Sequence, residues 1–176
     1  MTIDKLSTKE ILIKNKSRTP PGKMADLIIL LHNVRSLHNV GAVFRNADAF
    51  GIDKIILSGV TPTPPRPEIS KTAIGAEKFV KWKSIDEPGN QIHELKKKYA
   101  LVGVEQTNNS TPLTDYTVPD QPLCLVFGNE VTGIDEEILP LIDEFIEIPQ
   151  YGNKHSLNVS VATGVVLYGF LEKYWG

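Results

Sequence analysis

The chain has one cysteine, no apolar run long enough to cross a bilayer and no signal-peptide-like segment at its start. The single thiol, Cys124, lies inside the apolar run 123–127 with no cationic residue beside it. We therefore expect a buried small side chain there rather than a thiolate nucleophile. The polar, lysine-rich start and the lack of a membrane span favour a cytoplasmic protein.

Motifs that would identify a nucleotide site or a hydrolase are also missing. The chain has no Gly-x-Gly-x-x-Gly turn, no Walker phosphate loop and no Gly-x-Ser-x-Gly elbow. Its four histidines show no metal-ligand spacing, so we expect no metal site. These absences disfavour a dinucleotide enzyme on an ordinary doubly wound sheet and a zinc protein.

Basic residues are missing from one long segment. Residues 105–147 carry 10 acids and no base, whereas residues 1–104 carry 17 Lys and Arg against 10 Asp and Glu. The basic part could attract a polyanion such as nucleic acid, but ordinary solvated helix faces give the same count. The acidic segment argues against nucleic acid wrapping the whole molecule.

The apolar pattern predicts an α/β fold with a mostly parallel sheet and helices on both faces. Continuous apolar runs are typical of strands covered on both sides, and here they alternate with helical spacing. Strands are predicted at 27–31, 55–57, 79–83, 101–104, 123–127 and 145–148, and helices at 11–13, 40–50, 68–76, 91–99, 134–142 and 157–174.

The length of 176 residues suits one domain, which we place at residues 24–176. Residues 1–23 form a basic N-terminal arm or short helix, because a capping-box pattern from Ser7 to Glu10 precedes a Thr-Pro-Pro-Gly break. The loop 59–67 contains four prolines, which exclude a helix or inner strand. It is either a rigid binding wall or a plain connector.

Three polar clusters lie where apolar runs meet turns, which is where α/β folds place their chemistry. The first pairs Asn39 with Arg45, whose guanidinium can hold phosphates; a surface pair with Asp48 is the structural alternative. The second, Gly128-Asn129-Glu130, ends a strand and is either a ligand crevice or a tight turn. The third, Ser156-Leu157-Asn158, opens the last helix with Ser156 as the expected N-cap.

These stretches together resemble the SPOUT class of methyltransferases, in particular the SpoU/TrmH family of RNA ribose 2′-O-methyltransferases. The resemblance lies in residues 39–51, in residues 128–134, and in Ile148-Pro149 followed by residues 156–162. It implies a SPOUT-like domain with a deep C-terminal trefoil knot, S-adenosylmethionine bound in the knot crevice, an RNA substrate and a homodimer. Gln150 departs from the pattern, because many members have Met at this position.

The resemblance also implies which residues form the site. The implied cofactor-binding residues are Val104, Glu105, Gln106, Gly128, Asn129, Ile148, Gln150, Ser156 and Leu157. The implied catalytic residues are Arg45, acting on the ribose 2′-hydroxyl, with Asn39, Glu130, Ser156 and Asn158. We expect Glu130 to hold Arg45 or the cofactor edge, and Ser156 and Asn158 to shape the site of the target ribose.

The implied function is S-adenosylmethionine-dependent 2′-O-methylation of RNA, with tRNA and a D-loop guanosine favoured. A ribosomal RNA enzyme, a tRNA wobble-position enzyme and an inactive RNA-binding homologue are the alternatives. The presence of Asn39, Arg45, Glu130 and Ser156 argues against the inactive homologue.

Overall fold

The computed structural model describes residues 3–86 and 88–175. Within them, seven strands form one parallel sheet in the order β3-β2-β1-β6-β4-β7-β5. The strands are β1 Leu27–His32, β2 Lys54–Ser58, β3 Lys81–Ile85, β4 Ala100–Val104, β5 Thr111–Pro112, β6 Leu123–Phe127 and β7 Glu144–Glu147. The helices are α1 Thr8–Lys16, α2 Leu37–Phe50, α3 Pro67–Ala73, α4 Pro88–Lys96 and α5 Val159–Trp175. The predicted α/β class is confirmed.

Helices cover both faces of the sheet, as the apolar runs predict. Alternate residues of β1 point to opposite sides, so Ile29 packs with α2, α3 and α5 while Ile28 packs with α4 and the segment after β6. Every residue of β1 and of β6 is buried. The two central strands therefore fix the core, and the site must lie at their ends.

The helix starts and stops follow the local sequence in α1 and α2. Ser7 and Glu10 form the predicted capping box, although every residue of α1 is exposed. Ser36 caps α2 by accepting from the Asn39 backbone N–H, at 3.3 Å. Gly51 ends α2 in the left-handed conformation, with φ of 73°.

The helix predicted at 134–142 is wrong. The chain there makes turns and a short 3₁₀ segment, Leu139–Leu141. Ile134, Ile138 and Ile142 are buried at helical spacing, which explains the prediction. Pro140 prevents an α-helix, because it has no N–H to donate to residue 136 and its ring crowds the preceding turn. The two-residue strand β5 was not predicted, since so short a strand has no periodic signal.

The trefoil knot implied by the resemblance and the domain boundary at residue 23 stay predictions. No helix in residues 3–86 and 88–175 is long and apolar enough to cross a membrane.

Candidate active site

The carboxyl ends of the neighbouring strands β6, β4 and β7 open into a crevice of about 610 Å³. Parallel strands end at the same edge of a sheet, and this edge is where open α/β folds bind ligands. The volume suits a small organic ligand. All nine residues predicted to bind a cofactor line the crevice: Val104, Glu105, Gln106, Gly128, Asn129, Ile148, Gln150, Ser156 and Leu157.

The loop after β6 folds tightly over Gly128. A Cβ on Gly128 would lie 2.2 Å from the backbone carbon of Gly133, so a side chain there would push the loop open. The N–H groups of Asn129 and Gly133 each donate to the other residue's carbonyl, at 2.8 and 2.9 Å. The Asn129 side chain accepts from the N–H groups of Val131 and Thr132. This glycine therefore gives the crevice a wall of backbone.

The loop after β4 ties two walls of the crevice together. The Glu105 carboxylate accepts from the N–H groups of Ile134 and Gln106, at 3.2 and 3.0 Å. The Gln106 side-chain amide donates to the His155 carbonyl, at 2.8 Å. These side chains bind the protein's own backbone and so fix the shape of the crevice.

The predicted N-cap of the last helix is wrong by two residues. Helix α5 begins at Val159, and the Asn158 side chain accepts from the Ser160 N–H at 2.9 Å. Asn caps at least as well as Ser, which places the start at Asn158. Ser156 and Leu157 therefore lie in the loop before the helix, where they line the crevice.

Three polar residues that are distant in sequence form one hydrogen-bonded chain beside the crevice. The Asn39 amide donates to Glu130 at 2.9 Å, and the Asn158 amide donates to the Asn39 oxygen at 3.0 Å. Glu130 also accepts from the N–H groups of Arg35 and Ser36, both at 3.1 Å. Burial alone would raise the pKa of Glu130, but these hydrogen bonds outweigh it and lower the pKa. Glu130 therefore holds the start of α2 as a carboxylate.

Arg45 lies apart from that chain of contacts. It is exposed on α2 and does not line the crevice of its own subunit. Within the described part of the chain it forms no ion pair, so neither the surface pair with Asp48 nor the expected contact with Glu130 is present. The next residue, Asn46, donates to the Ser160 carbonyl at 2.7 Å, which places this part of α2 against α5.

A buried polar cluster at the ends of β1 and β2 was missed. His32 lies 3.0 Å from the Ser58 hydroxyl through Nδ1 and 3.1 Å from the Asp135 carboxylate through Nε2. Asn33, in the left-handed conformation, also donates to Asp135, and its carbonyl accepts from Asn129 at 2.8 Å. The sequence did carry a signal for this cluster, because polar residues end the two apolar runs that form β1 and β2. The cluster anchors the loop that forms the crevice wall.

Cys124 is fully buried in β6, as predicted. Burial raises the pKa of its thiol to about 12, so the thiolate is absent at neutral pH.

Residues 26–168 match the SpoU rRNA Methylase family. The chain belongs to this family. A tRNA (guanosine(18)-2′-O)-methyltransferase from Aquifex aeolicus is 35% identical over 150 residues, covering 83% of this chain and 69% of the relative. An enzyme of the same name from Escherichia coli K12 is 33% identical over 149 residues, covering 83% of this chain and 63% of the relative. About a third of each relative therefore lies outside the part that aligns with this chain.

Two solved structures that are similar to this chain are a tRNA modifying enzyme and an AdoMet-bound rRNA methyltransferase. The A. aeolicus TrmH/SpoU tRNA modifying enzyme superposes with a TM-score of 0.76 at 31% identity, over 85% of this chain and 75% of that one. An AdoMet-bound rRNA methyltransferase from Sinorhizobium meliloti superposes with a TM-score of 0.75 at 26% identity, over 81% of this chain and 54% of that one.

Proposed function

We propose that this SpoU-family protein transfers a methyl group from S-adenosylmethionine to a ribose 2′-hydroxyl of tRNA. One observation carries the proposal: the nine residues expected to hold the cofactor line one crevice, and the Glu130–Asn39–Asn158 chain lies beside it. The names of the tRNA-modifying relatives and the AdoMet-bound S. meliloti structure support this choice of substrate and cofactor.

The crevice suits S-adenosylmethionine in size and in the chemistry of its lining. Its volume of about 610 Å³ lies in the range for ligands of this size. Backbone around Gly128, at Ile148 and at residues 155–157 offers N–H and carbonyl groups, and Gln106, Gln150 and Ser156 supply polar side chains. The cofactor supplies an electrophilic methyl group on a sulfonium sulfur. The residues of the chain bind it, orient the acceptor and exclude water.

Arg45 is the proposed catalytic residue, acting from the second copy of a homodimer. Beside the contact in which Phe50 of α2 packs edge to face with Tyr168, an exposed apolar row on α5 is formed by Val161, Val165 and Tyr168. These side chains are 51%, 40% and 53% exposed, which is typical of an interface. Because the part of α2 that carries Arg45 packs on α5, pairing through α5 brings Arg45 near the partner's crevice.

At the ribose, the Arg45 guanidinium orients the 2′-hydroxyl and stabilises the developing alkoxide. It does not act as a free base, because arginine stays protonated in proteins. An RNA phosphate held by the guanidinium is the proposed proton acceptor. Ser156 and Asn158 shape the surface on which the target ribose lies.

The basic N-terminal arm, residues 1–23, is a proposed second contact with RNA. Its cations are Lys5, Lys9, Lys14, Lys16, Arg18 and Lys23, and α1 leaves all of its residues exposed. Deletion of residues 1–23 should weaken tRNA binding and reduce its salt dependence. Unchanged affinity and salt dependence would remove the arm from the proposal.

Transfer of labelled methyl groups tests the function. Purified protein is incubated with methyl-labelled S-adenosylmethionine and either bulk tRNA or ribosomal RNA, both from cells that lack the protein. We expect label in tRNA. Label in ribosomal RNA alone would correct the substrate, and binding of RNA without transfer to either would indicate the inactive homologue.

A further inference from the structure

An exposed surface that is both aromatic and basic lies at the β3 edge of the sheet, which is the edge opposite to β5. We call it the edge patch and define it by Lys71, Ile74, Lys78, Phe79, Trp82 and Lys83. Three large apolar side chains face solvent there: Phe79 is 79% exposed, Ile74 is 68% exposed and Trp82 is 37% exposed. Six residues within one segment, from α3 to the edge strand β3, thus combine cations with aromatic rings.

The cations of the edge patch are available to a ligand. Lys71, Lys78 and Lys83 are exposed, and none forms an ion pair with another residue of 3–86 or 88–175. Lys81, in contrast, binds Asp53 at 3.3 Å. By strand register Lys83 shares a face with Ile56 of β2, and Trp82 shares the opposite face with Ile55. The patch therefore wraps around the edge of the sheet.

Protection of an edge strand does not account for this composition. Lysines on an edge strand oppose unwanted strand pairing, which would explain Lys81 and Lys83. Exposed aromatic rings have the opposite effect, since they attract other apolar surfaces. Phe79 and Trp82 therefore need a partner of their own.

Ile74 gives an independent reason to expect a contact. It ends α3 in the left-handed conformation, with φ of 52°. A β-branched residue is unfavourable in that conformation, and glycine commonly occupies this position. Ile74 therefore keeps a bulky apolar side chain exposed to solvent in an unfavourable backbone conformation, which is expected of a residue that contacts a partner.

We propose that the edge patch binds a single-stranded segment of the RNA substrate. Unpaired bases stack on Phe79 and Trp82, and Lys71, Lys78 and Lys83 contact phosphates. The inference rests on the proposed RNA substrate and adds the position of a further contact, separate from the crevice and from the N-terminal arm. Strand β3 is three strands from β6, which is about 14 Å. An RNA that reaches both the edge patch and the crevice therefore spans at least about 14 Å.

Two variants and two matched controls test the edge patch by tRNA affinity. Phe79→Ala removes one stacking ring and should weaken binding about 5- to 100-fold. The double variant Lys78→Ala with Lys83→Ala should lower the slope of log affinity against log salt by about 1.4–1.8. Val60→Ala removes an exposed apolar side chain from the loop after β2, and Lys98→Ala removes an exposed cation just after α4. Both controls should bind tRNA like the unchanged protein.

Fluorescence gives a readout that a change in folding would not imitate. The chain has two tryptophans, so Trp175→Phe leaves Trp82 as the only one. We expect oligouridylate to quench this emission, and double-stranded RNA of equal length to quench it much less. Thermal melts of each variant establish that it is folded before its affinity is compared.

The outcomes separate this inference from the proposed function. Patch variants that bind tRNA normally, in a protein that transfers methyl groups, would overturn the edge patch alone. Weakened binding in the variants, with no transfer by the unchanged protein, would support the patch and overturn the enzyme. An oligomer that Phe79→Ala dissociates, with tRNA affinity unchanged, would assign the patch to a protein partner and overturn its role in RNA binding.

Discussion

Several polar side chains around the crevice bind the protein's own backbone. Glu130 accepts from two N–H groups at the start of α2, Glu105 accepts from the N–H groups of two loops, and Asn129 accepts from its own turn. Acceptors that are hydrogen-bonded to loop backbone in this way stabilise one loop geometry. Arg45 differs, because among the described residues it has no ion-pair partner.

Replacement of Arg45 by alanine should abolish methyl transfer without unfolding the protein. We expect activity to fall at least about 100-fold, because in the proposed mechanism the guanidinium stabilises charge that develops at the ribose oxygen. S-adenosylmethionine affinity by calorimetry should stay unchanged, and stability should change by less than about 0.5 kcal/mol at this exposed site. Arg45→Lys keeps the charge but loses the planar fork, and should recover little. A fully active Arg45→Ala enzyme would contradict the assignment.

His32 should make stability depend on pH below neutrality. Its neutral form satisfies both neighbours, since Nε2–H donates to Asp135 and Nδ1 accepts from Ser58. Burial lowers the pKa of His32 below 6.5, and the nearby Asp135 only partly offsets this. The unfolded chain therefore takes up the proton first as pH falls through 6.5, so the folded state loses stability there.

The variant His32→Gln isolates this effect. It retains a donor toward Asp135 but does not titrate, so we expect a flatter stability curve between about pH 7 and about pH 5. Urea unfolding at several pH values measures the slope. His93→Gln, at an exposed position of α4, is the control and should keep the original slope. Equal slopes for His32→Gln and the unchanged protein would contradict the account.

The regular helices and strands were predictable where one local rule governed them. Buried strands β1 and β6 read as unbroken apolar runs, and α2 carries both its apolar spacing and its terminal glycine. The helix predicted at 134–142 was wrong because the prediction followed the helical spacing of the isoleucines and disregarded Pro140. The predicted start of α5 was wrong because Ser156 and Asn158, two residues apart, are both good N-caps. The hydrogen bond from Asn158 to Asn39 favours Asn158.

The loop after β6 provides a test of one element with a built-in control. Gly128→Ala places a methyl group 2.2 Å from the backbone of Gly133, so the crevice wall must open. We expect S-adenosylmethionine affinity to fall at least about 10-fold and stability to drop by about 1–3 kcal/mol. Gly152→Ala meets no atom within 4 Å and should change neither quantity. Normal cofactor binding by Gly128→Ala would show that the wall does not contribute.

The assembled site was only partly predictable at the scale of the whole molecule. Motif order along the chain does not reveal that β6 lies between β1 and β4, yet this order brings Glu130 next to Asn39. Polar types at strand ends indicated the individual residues. The contacts among them, and the buried His32 cluster, depend on packing between elements far apart in sequence.

The proposed role of Arg45 depends on the proposed pairing of two copies through α5. Val165→Glu puts a charge on the exposed apolar row and should yield monomers in sedimentation equilibrium. Methyl transfer should then be lost while S-adenosylmethionine still binds. Val60→Glu, 64% exposed in the loop after β2, should leave the assembly intact. A Val165→Glu monomer with full activity would contradict this proposal, because Arg45 would then act at the crevice of its own subunit.

The position of the transferred methyl group tests the central claim most directly. A methyl on the 2′-oxygen removes the nucleophile that attacks the neighbouring phosphodiester, so alkali no longer cleaves the RNA at that nucleotide. We predict that tRNA treated with the protein and S-adenosylmethionine gains one alkali-resistant dinucleotide that carries the label on its ribose. Label on a base, with the normal alkaline ladder unchanged, would contradict the account.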